Sequence, residues 1–171
     1  MEELHIRAGR EGEAERIAFI VRRAFGGEAE VQLVTDLRAE GAMAGEFVAE
    51  RGSAGIIGHV AFSRLDIQTF DKRIEGVALA PLAVLPTQQR KGVGRALVEY
   101  GLACLRELKI EIAVVLGDPA FYARFGFSAL PARLLEAPYS GDAFQVLELA
   151  PGALGKWNWQ VAYPAAFAKL T

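Results

Sequence analysis

The chain has 171 residues, a formal net charge of −2 and a hydrophobic fraction of 52%, which suits one domain with a sizeable core. This charge gives no general attraction to nucleic acid or an anionic membrane, and no apolar run reaches the roughly 18 residues of a membrane span. Cys104 is the only cysteine, which excludes an internal disulfide and a cysteine-cluster metal site. We therefore expect neither a metal nor a nucleic acid as partner.

The N-terminus shows no sign of a targeting segment. Its first residues, MEELHIRAGREGEAERI, are charged where a signal peptide is apolar, which argues against export. The low cysteine content is typical of a reducing compartment. We therefore expect a cytoplasmic protein with a single domain over residues 1–171.

The first half of the chain is predicted to form a strand, two helices and three more strands. Apolar residues recur at helical spacing in two segments, and glycines at 26–27 and 41 end these helices. Polar or glycine-containing turns separate the three strands. The predicted elements are a strand at 4–8, helices at 11–25 and 28–40, and strands at 46–51, 56–69 and 74–85.

The third of these strands carries a change in its apolar pattern. Val77 and Leu79 are its large apolar residues before Pro81, whereas Leu82 and Val84 follow it with the opposite parity. A one-residue bulge produces such a shift, and a bulge tolerates proline because that residue need not donate to the ladder. The pattern therefore predicts a β-bulge at Pro81.

The second half begins with a long helix at 94–108 and a β-branched strand at 110–116, which the apolar run marks as buried on both faces. A stripe of residues spaced three or four apart predicts the inward face of the helix. This stripe comprises Val93, Leu97, Tyr100, Cys104 and Leu108.

A short helix and a last strand follow. Asp118 suits the N-cap of a helix at 119–125, Pro119 its first position and Gly126 the residue past its end. Residues 128–141 are rich in loops, and a strand is predicted at 144–149. The whole order predicts a mixed sheet flanked by helices, of the α/β or α+β class.

The segment 82–97, LAVLPTQQRKGVGRAL, carries the clearest functional signal. An apolar strand runs into a polar, basic loop with two glycines, and a helix begins at once. Backbone N–H groups in such a loop converge beside the positive end of the helix dipole, where they suit a phosphate or pyrophosphate. A Walker P-loop is excluded because Arg95 and Ala96 follow Gly94, and a dinucleotide fingerprint is excluded because Leu97 replaces its third glycine.

This segment resembles motif A of the GNAT superfamily, the acyl-CoA-dependent N-acetyltransferases. That motif is Gln or Arg, two arbitrary residues, Gly, one arbitrary residue, then Gly or Ala, and Gln89, Gly92 and Gly94 fit it. The segment PAFYARFGF at 119–127 resembles the motif B of the same family. The resemblance covers about residues 4–149 and implies a mostly antiparallel central sheet, whose strands splay apart at a cleft for acetyl-CoA.

The resemblance also implies which residues hold the coenzyme. Amides of the loop would bind the pyrophosphate, and the strand before it would pair with the pantetheine arm. For the side chains of Arg90 and Lys91, a phosphate contact and a solvated basic turn are equally open. The expected residues are Leu82, Ala83 and Val84 of the strand, and Gln89, Arg90, Lys91, Gly92, Val93, Gly94, Arg95 and Ala96 of the loop and helix start.

Acyl transfer to an amine requires a proton donor for the leaving thiolate and an acceptor for the amine proton. Tyr122 matches the tyrosine of motif B and is expected to be the general acid, because tyrosine keeps its proton at neutral pH. Glu75 ranks first as general base, ahead of Asp66 and His59. Cys104 is expected to be an inert core thiol.

The resemblance implies an N-acetyltransferase that acts on a small-molecule or peptide amine. Acceptor specificity is expected from residues 25–30, where Glu28 and Glu30 would attract a cation, and from 130–142. The aromatics past Pro151 line the site, pack on the domain or pair subunits of a homodimer, of which packing is favoured. An acyl-CoA-binding sensor or scaffold without catalysis is the alternative function, and a nucleotide-binding module is a weaker one.

Overall fold

The computed structural model describes residues 2–170, in which a mixed sheet of eight strands carries helices on both faces. The strands are β1 (Leu4–Ala8), β2 (Met43–Arg51), β3 (Ile56–Gln68), β4 (Arg73–Val84), β5 (Ile112–Leu116), β6 (Leu135–Glu136), β7 (Phe144–Glu148) and β8 (Trp159–Ala162). The α-helices are α1 (Ala14–Phe25), α2 (Ala29–Ala39), α3 (Val93–Glu107) and α4 (Pro119–Tyr122).

The sheet has the strand order β1-β2-β3-β4-β5-β7, and β8 pairs with both β3 and β6. The first four strands form antiparallel pairs, β4 and β5 run parallel, and β5 pairs antiparallel with β7. A parallel pair needs a long crossover, which α3 supplies between β4 and β5. The predicted mixed, mostly antiparallel sheet is confirmed.

The predicted bulge lies where it was expected. Val60 pairs with Leu82 and Phe62 with Leu79, so β4 holds one residue more than β3 between these two pairs. The pairing of β4 with β5 ends at Leu79 and Val115, and the rest of β4 leaves its neighbour. From the bulge onward, the two parallel strands therefore splay apart. The functional site lies at the gap between them.

The helices divide the core between the two faces of the sheet. Phe47 packs in the cluster that contains α3, whereas Val48 packs with Ile17 and Ile20 of α1. Successive strand residues face opposite sides, so α3 and α1 lie on opposite faces. Helix α2 shares the face of α1 and packs against the C-terminal segment.

The inward face of α3 was predicted correctly only in its first turns. Val93 and Leu97 are buried, but Tyr100 and Leu108 are exposed and Cys104 is half-buried. Close packing of the helix on Phe62, where a Cβ at position 101 would lie 2.4 Å from the ring, turns the helix away from the predicted stripe. The residues buried instead are Val98, Gly101, Leu102 and Leu105.

The C-terminal segment contains structure that its weak periodicity did not predict. Strand β8 adds to the sheet, and a 3₁₀ helix follows at Ala165–Lys169. Trp159 is fully buried, and its indole N–H donates to the Leu154 carbonyl at 2.9 Å. Lys169 pairs with Asp36 of α2 at 2.9 Å, which ties this segment to the α2 face.

Element ends differ from the predictions by a few residues. Helix α1 begins at Ala14 rather than at 11, because the Glu13 carboxylate accepts from the backbone N–H of Arg10 and pairs with Arg7. Strand β5 begins at Ile112 rather than at 110, because the chain turns through a left-handed Lys109 after α3. Within residues 2–170, no helix combines the length and the apolarity needed to cross a membrane.

Candidate functional site

The loop between β4 and α3 is held in one conformation by its backbone and by Gln89. Gly92 is the N-cap of α3 with φ of 83°, a left-handed conformation that favours glycine, and Arg90 is left-handed as well with φ of 62°. The side chain of Gln89 donates to the Val84 carbonyl at 3.0 Å and fastens the loop to the end of β4. The motif residues Gln89 and Gly92 thus shape the loop.

The amides of this loop are free to bind a ligand. The first N–H that bonds within α3 is that of Ala96, which donates to the Gly92 carbonyl at 3.0 Å. The N–H groups of residues 90–95 form no hydrogen bond in the described part of the chain, and no side chain caps the start of α3. Six donors beside the positive end of a 15-residue helix suit an anion. The role of Ala96 stays a prediction, but its amide is already occupied and does not support it.

A cleft of about 630 Å³ runs along the loop, and we call it the loop cleft. Of the residues predicted to hold the coenzyme, Lys91, Ala83 and Ala96 do not line it. Phe121 and Arg124 line it as well, and sequence reasoning did not select them. The predicted residues that line it are Leu82, Val84, Gln89, Arg90, Gly92, Val93, Gly94 and Arg95.

Arg124 is a basic residue of the loop cleft that the sequence motifs did not predict. Its guanidinium lies 5.0 Å from the centre of the Phe121 ring, and both side chains line the loop cleft. Arg95, by contrast, pairs with Glu99 at 2.8 Å. The signal for Arg124 was its place one turn after Phe121 in the motif B segment.

Gly94 leaves room for a ligand close to the amides. A Cβ at this position would lie 3.7 Å from both Leu82 and Phe121, in ordinary contact. The protein itself therefore tolerates a side chain here, and the missing methyl group widens the cleft in front of the helix start. Free amides, a helix N-terminus and this open approach together fit a diphosphate.

Beyond the bulge, alternate peptide groups of β4 face the open edge. The N–H of Leu85 donates to the Ile57 carbonyl at 2.9 Å, so the alternation of an antiparallel ladder directs the peptide of Ala83 toward β3 as well. The peptides of Leu82 and Val84 then point to the gap, and the Val84 carbonyl accepts from Gln89. Leu82 and Val84 offer an edge for an extended ligand, whereas Ala83 does not.

A second cleft of about 480 Å³ lies in the gap between β4 and β5, and we call it the strand cleft. Leu82 and Phe25 line both clefts, so the two meet at the splay. Its walls come from both splayed strands, the end of α1, the start of α2, α4 and the C-terminal segment. They include Phe25, Glu30, Leu33, Asp118, Tyr122, Tyr139, Tyr163, Phe167 and Leu170.

Tyr122 lies in the wall of the strand cleft. The residue is only 8% exposed, and its ring packs among Phe121, Phe125 and Phe127 in an aromatic cluster. Gly117 makes room for it, because a Cβ there would lie 2.6 Å from Tyr122 Cε2. Burial raises the pKa of Tyr122 to about 12, so the hydroxyl keeps its proton at neutral pH.

The carboxylates of the strand cleft are Glu30 and Asp118, and Glu75 is not among them. On β4, Glu75 lies opposite Asp66 of β3 in the strand register. It lies five residues, or ~16 Å along the strand, before Ala80, where the pairing of β4 with β5 has ended. Asp118 caps α4 by accepting from the Ala120 N–H at 3.0 Å. The role of Glu75 as base stays a prediction, but its position does not support it.

The other two candidates for the base also lie outside both clefts. Asp66 pairs with Arg73 at 3.0 Å, and its side chain stays near the surface. His59 is fully buried, with Nε2 2.7 Å from Glu46 Oε2. Cys104 on α3 lines neither cleft, and burial together with the Glu107 charge raises the pKa of its thiol, which keeps it unreactive.

The structure thus brings Tyr122, Leu82 and the loop amides to two connected clefts. Tyr163 and Phe167 belong to the aromatics past Pro151, for which packing was favoured over lining the site, and both line the strand cleft. Leu170 was not selected, because its segment lacks a periodic pattern. Glu28, expected near the acceptor, pairs with Arg22 on the surface instead. No group of three or more His, Cys, Asp or Glu residues is placed to hold a metal within residues 2–170.

Comparisons with known proteins agree with this geometry. Residues 44–129 match the family model described as acetyltransferase (GNAT) domain. The uncharacterized N-acetyltransferase YhbS of Escherichia coli K12 is 40% identical over 157 residues, which cover 91% of this chain and 93% of that protein.

Solved structures of two similar proteins contain the coenzyme. The crystal structure of E. coli YhbS in complex with CoA has a TM-score of 0.91 at 36% identity, covering 100% of this chain and 95% of that one. A GNAT family acetyltransferase from Brucella melitensis in complex with acetyl-CoA has a TM-score of 0.79 at 33% identity, covering 98% and 99% of the two chains.

Proposed function

Because the chain belongs to the GNAT acetyltransferase family, we propose that it transfers an acetyl group from acetyl-CoA to a primary amine of a small molecule or a peptide. The observation that carries the proposal is the row of unpaired N–H groups at residues 90–95, beside a cleft that leads to Tyr122. The complexes of YhbS with CoA and of the Brucella protein with acetyl-CoA support the choice of coenzyme. A cytoplasmic location and a homodimer stay predictions.

The residues of the loop cleft suit the coenzyme. The amides of residues 90–95 would hold its diphosphate, and Arg90 and Arg124 add positive charge to the same cleft. The open-edge peptides of Leu82 and Val84 would pair with the amide-containing arm. Bound there, acetyl-CoA supplies an activated acyl group as a thioester.

Tyr122 serves as the proton donor. Its pKa of about 12 keeps the phenol protonated across the working range, so the hydroxyl can give its proton to the sulfur as the carbon–sulfur bond breaks. An ammonium acceptor has three protons and the amide product keeps one. One of the other two replaces the proton that Tyr122 gives to sulfur, and one leaves to solvent.

The strand cleft offers Glu30 for the amine side of the reaction. Asp118 is engaged as a helix cap, and Glu75 lies about five residues away from the gap along β4. Glu30 lines the cleft and pairs with no cation in the described residues. The acceptor amine therefore meets one free carboxylate on its way to the thioester.

The test is an assay of acetyl transfer from acetyl-CoA to a panel of primary amines, in which the released CoA thiol is measured. Tyr122→Phe is expected to lower kcat at least about tenfold while the affinity for CoA stays unchanged, because only the proton donor is lost. Tyr100→Phe is the matched control, since Tyr100 is exposed on α3 and lines neither cleft.

Two outcomes would contradict the proposal. Unchanged turnover in Tyr122→Phe would remove Tyr122 as the general acid. Tight CoA binding without thiol release for any amine would favour the alternative of a binding domain without catalysis.

A further inference from the structure

The strand cleft has a wall of aromatic side chains. Tyr139 and Tyr163 pack edge to face with ring centres 5.1 Å apart, and Tyr163 and Phe167 do the same at 5.0 Å. All three line the cleft, and Leu33 and Leu170 extend the apolar surface. Such a wall favours a flat or branched apolar group over a hydroxylated one, because the apolar group removes more apolar surface from water against the rings.

The charged side chains that line the strand cleft are all acidic. Glu30 and Asp118 are its ionisable carboxylates, and none of the described residues that line it is Lys, Arg or His. The nearby cations are engaged elsewhere, because Arg22 pairs with Glu28 and Lys169 with Asp36. Glu30 is half-buried and forms no ion pair or side-chain hydrogen bond within residues 2–170. The cleft therefore favours a cation and offers nothing to a carboxylate.

From this geometry, and resting on the proposed function, we propose that the acceptor is a primary ammonium with an apolar, ring-sized body and no carboxylate. Glu30 holds the ammonium group, and the wall of Tyr139, Tyr163 and Phe167 receives the body. The class is that of arylalkylamines and branched alkylamines. Free amino acids are excluded because their carboxylate would lie near Glu30 and Asp118 without a cation to pair with.

The proposal separates two ligands that share the same ring and amine. Phenethylamine lacks the carboxylate that phenylalanine carries, so the two differ in the one group that the cleft rejects. Glucosamine has the amine but a hydroxylated body. We expect phenethylamine to bind at least about tenfold more tightly than either of the other two, because phenylalanine adds an unfavourable charge and glucosamine offers less apolar surface to the rings.

The test is isothermal titration of these three compounds into the full chain, with and without CoA. Glu30→Gln is expected to weaken phenethylamine binding about tenfold, because it removes a charge-assisted hydrogen bond and keeps the shape of the side chain. Glu28→Gln is the matched control and leaves the affinity unchanged, since Glu28 pairs with Arg22 and lines neither cleft.

Phenylalanine or glucosamine binding as tightly as phenethylamine would overturn the proposal, as would an unchanged affinity in Glu30→Gln. The titration without CoA does not require turnover. It therefore separates the two ideas: selective amine binding without thiol release contradicts the acetyltransferase and supports this acceptor class. Thiol release with glucosamine and not with phenethylamine would support the acetyltransferase and contradict this acceptor class.

Discussion

At the scale of single residues, the two glycines of the loop have different tasks. Gly92 is required by its own backbone, because its φ of 83° is unfavourable for a residue with a side chain. Gly94 has no such requirement and lies in the first turn of α3 with room for a methyl group. A methyl group at position 94 would lie in the cleft in front of the free amides.

Gly94→Ala separates folding from binding. The substitution is expected to stabilise the protein by about 0.5–1 kcal/mol, because alanine loses less backbone entropy than glycine in a helix. CoA binding is expected to stay within about threefold of the wild type, because the motif admits alanine at this position and the added Cβ makes only ordinary contacts. Thermal unfolding and CoA titration of the same preparation measure both effects, and a loss of CoA affinity of about tenfold or more would contradict the room found at position 94.

Glu75 provides a prediction about the base. Because Glu75 lies far from the gap along β4, Glu75→Gln is expected to keep the acidic limb of the pH–rate profile at its wild-type position. Glu30→Gln is expected to shift or remove that limb. Loss of the limb in Glu75→Gln alone would restore Glu75 as the general base.

Single residues also show which parts of the site could be predicted from the sequence. The motif positions Gln89, Gly92 and Gly94 follow from letters and spacing, because a loop that cradles an anion needs those residue types locally. Arg124 does not follow in the same way, and Glu30 was expected near the acceptor only through the family resemblance. Each reaches a cleft only because elements distant in sequence pack beside it, and a single sequence does not contain that packing.

At the scale of elements, a buried polar network fixes α2 against the sheet. Arg38 of α2 donates to both oxygens of Glu46 on β2, at 3.1 and 2.5 Å, and His59 on β3 lies 2.7 Å from the same carboxylate. Burial alone would raise the pKa of Glu46, but these two partners outweigh it and hold the pKa at about 2. Since α2 begins one residue before Glu30, the network also positions the wall of the strand cleft.

Glu46→Gln tests this network through the pH dependence of stability. The wild type gains stability from the ionised carboxylate above its ordinary pKa of 4.5 and loses it as the pH falls toward about 2. The variant is expected to be about 2 kcal/mol less stable at pH 7, and the difference narrows between pH 5 and pH 2. Chemical unfolding across this range measures it.

The exposed pair of Glu28 and Arg22 supplies the control for this measurement. Glu28→Gln is expected to change the stability at pH 7 little, because solvent screens an exposed pair. A difference between Glu46→Gln and the wild type that stays constant from pH 7 to pH 2 would show that the carboxylate is not ionised in the folded protein.

Elements were predicted best where a long pattern met a clear stop. The strands and helices up to β5 follow from periodicity and from glycines at helix ends, and the change of parity at Pro81 predicted the bulge. The stripe on α3 was wrong from Tyr100 onward, because the contact of Gly101 with Phe62 and not the hydrophobic pattern sets the rotation of the helix. Strand β8 has four residues, too few for a period to show, and it forms because β3 and β6 offer it partners.

At the scale of the whole molecule, the site exists because the sheet opens. The bulge in β4 and the end of its pairing with β5 create a gap that neither strand has alone. The loop cleft approaches this gap from the start of α3, and the strand cleft lies within it, walled in part by the C-terminal segment. Two substrates can therefore meet at Tyr122 from different sides.

The most direct measurement is the crystal structure of this protein in complex with CoA. We predict that the diphosphate oxygens lie within about 3 Å of backbone nitrogens in residues 90–95, that the arm runs along Leu82 and Val84, and that the sulfur lies beside the Tyr122 hydroxyl. A diphosphate bound elsewhere, with the amides of residues 90–95 still unpaired, would contradict it.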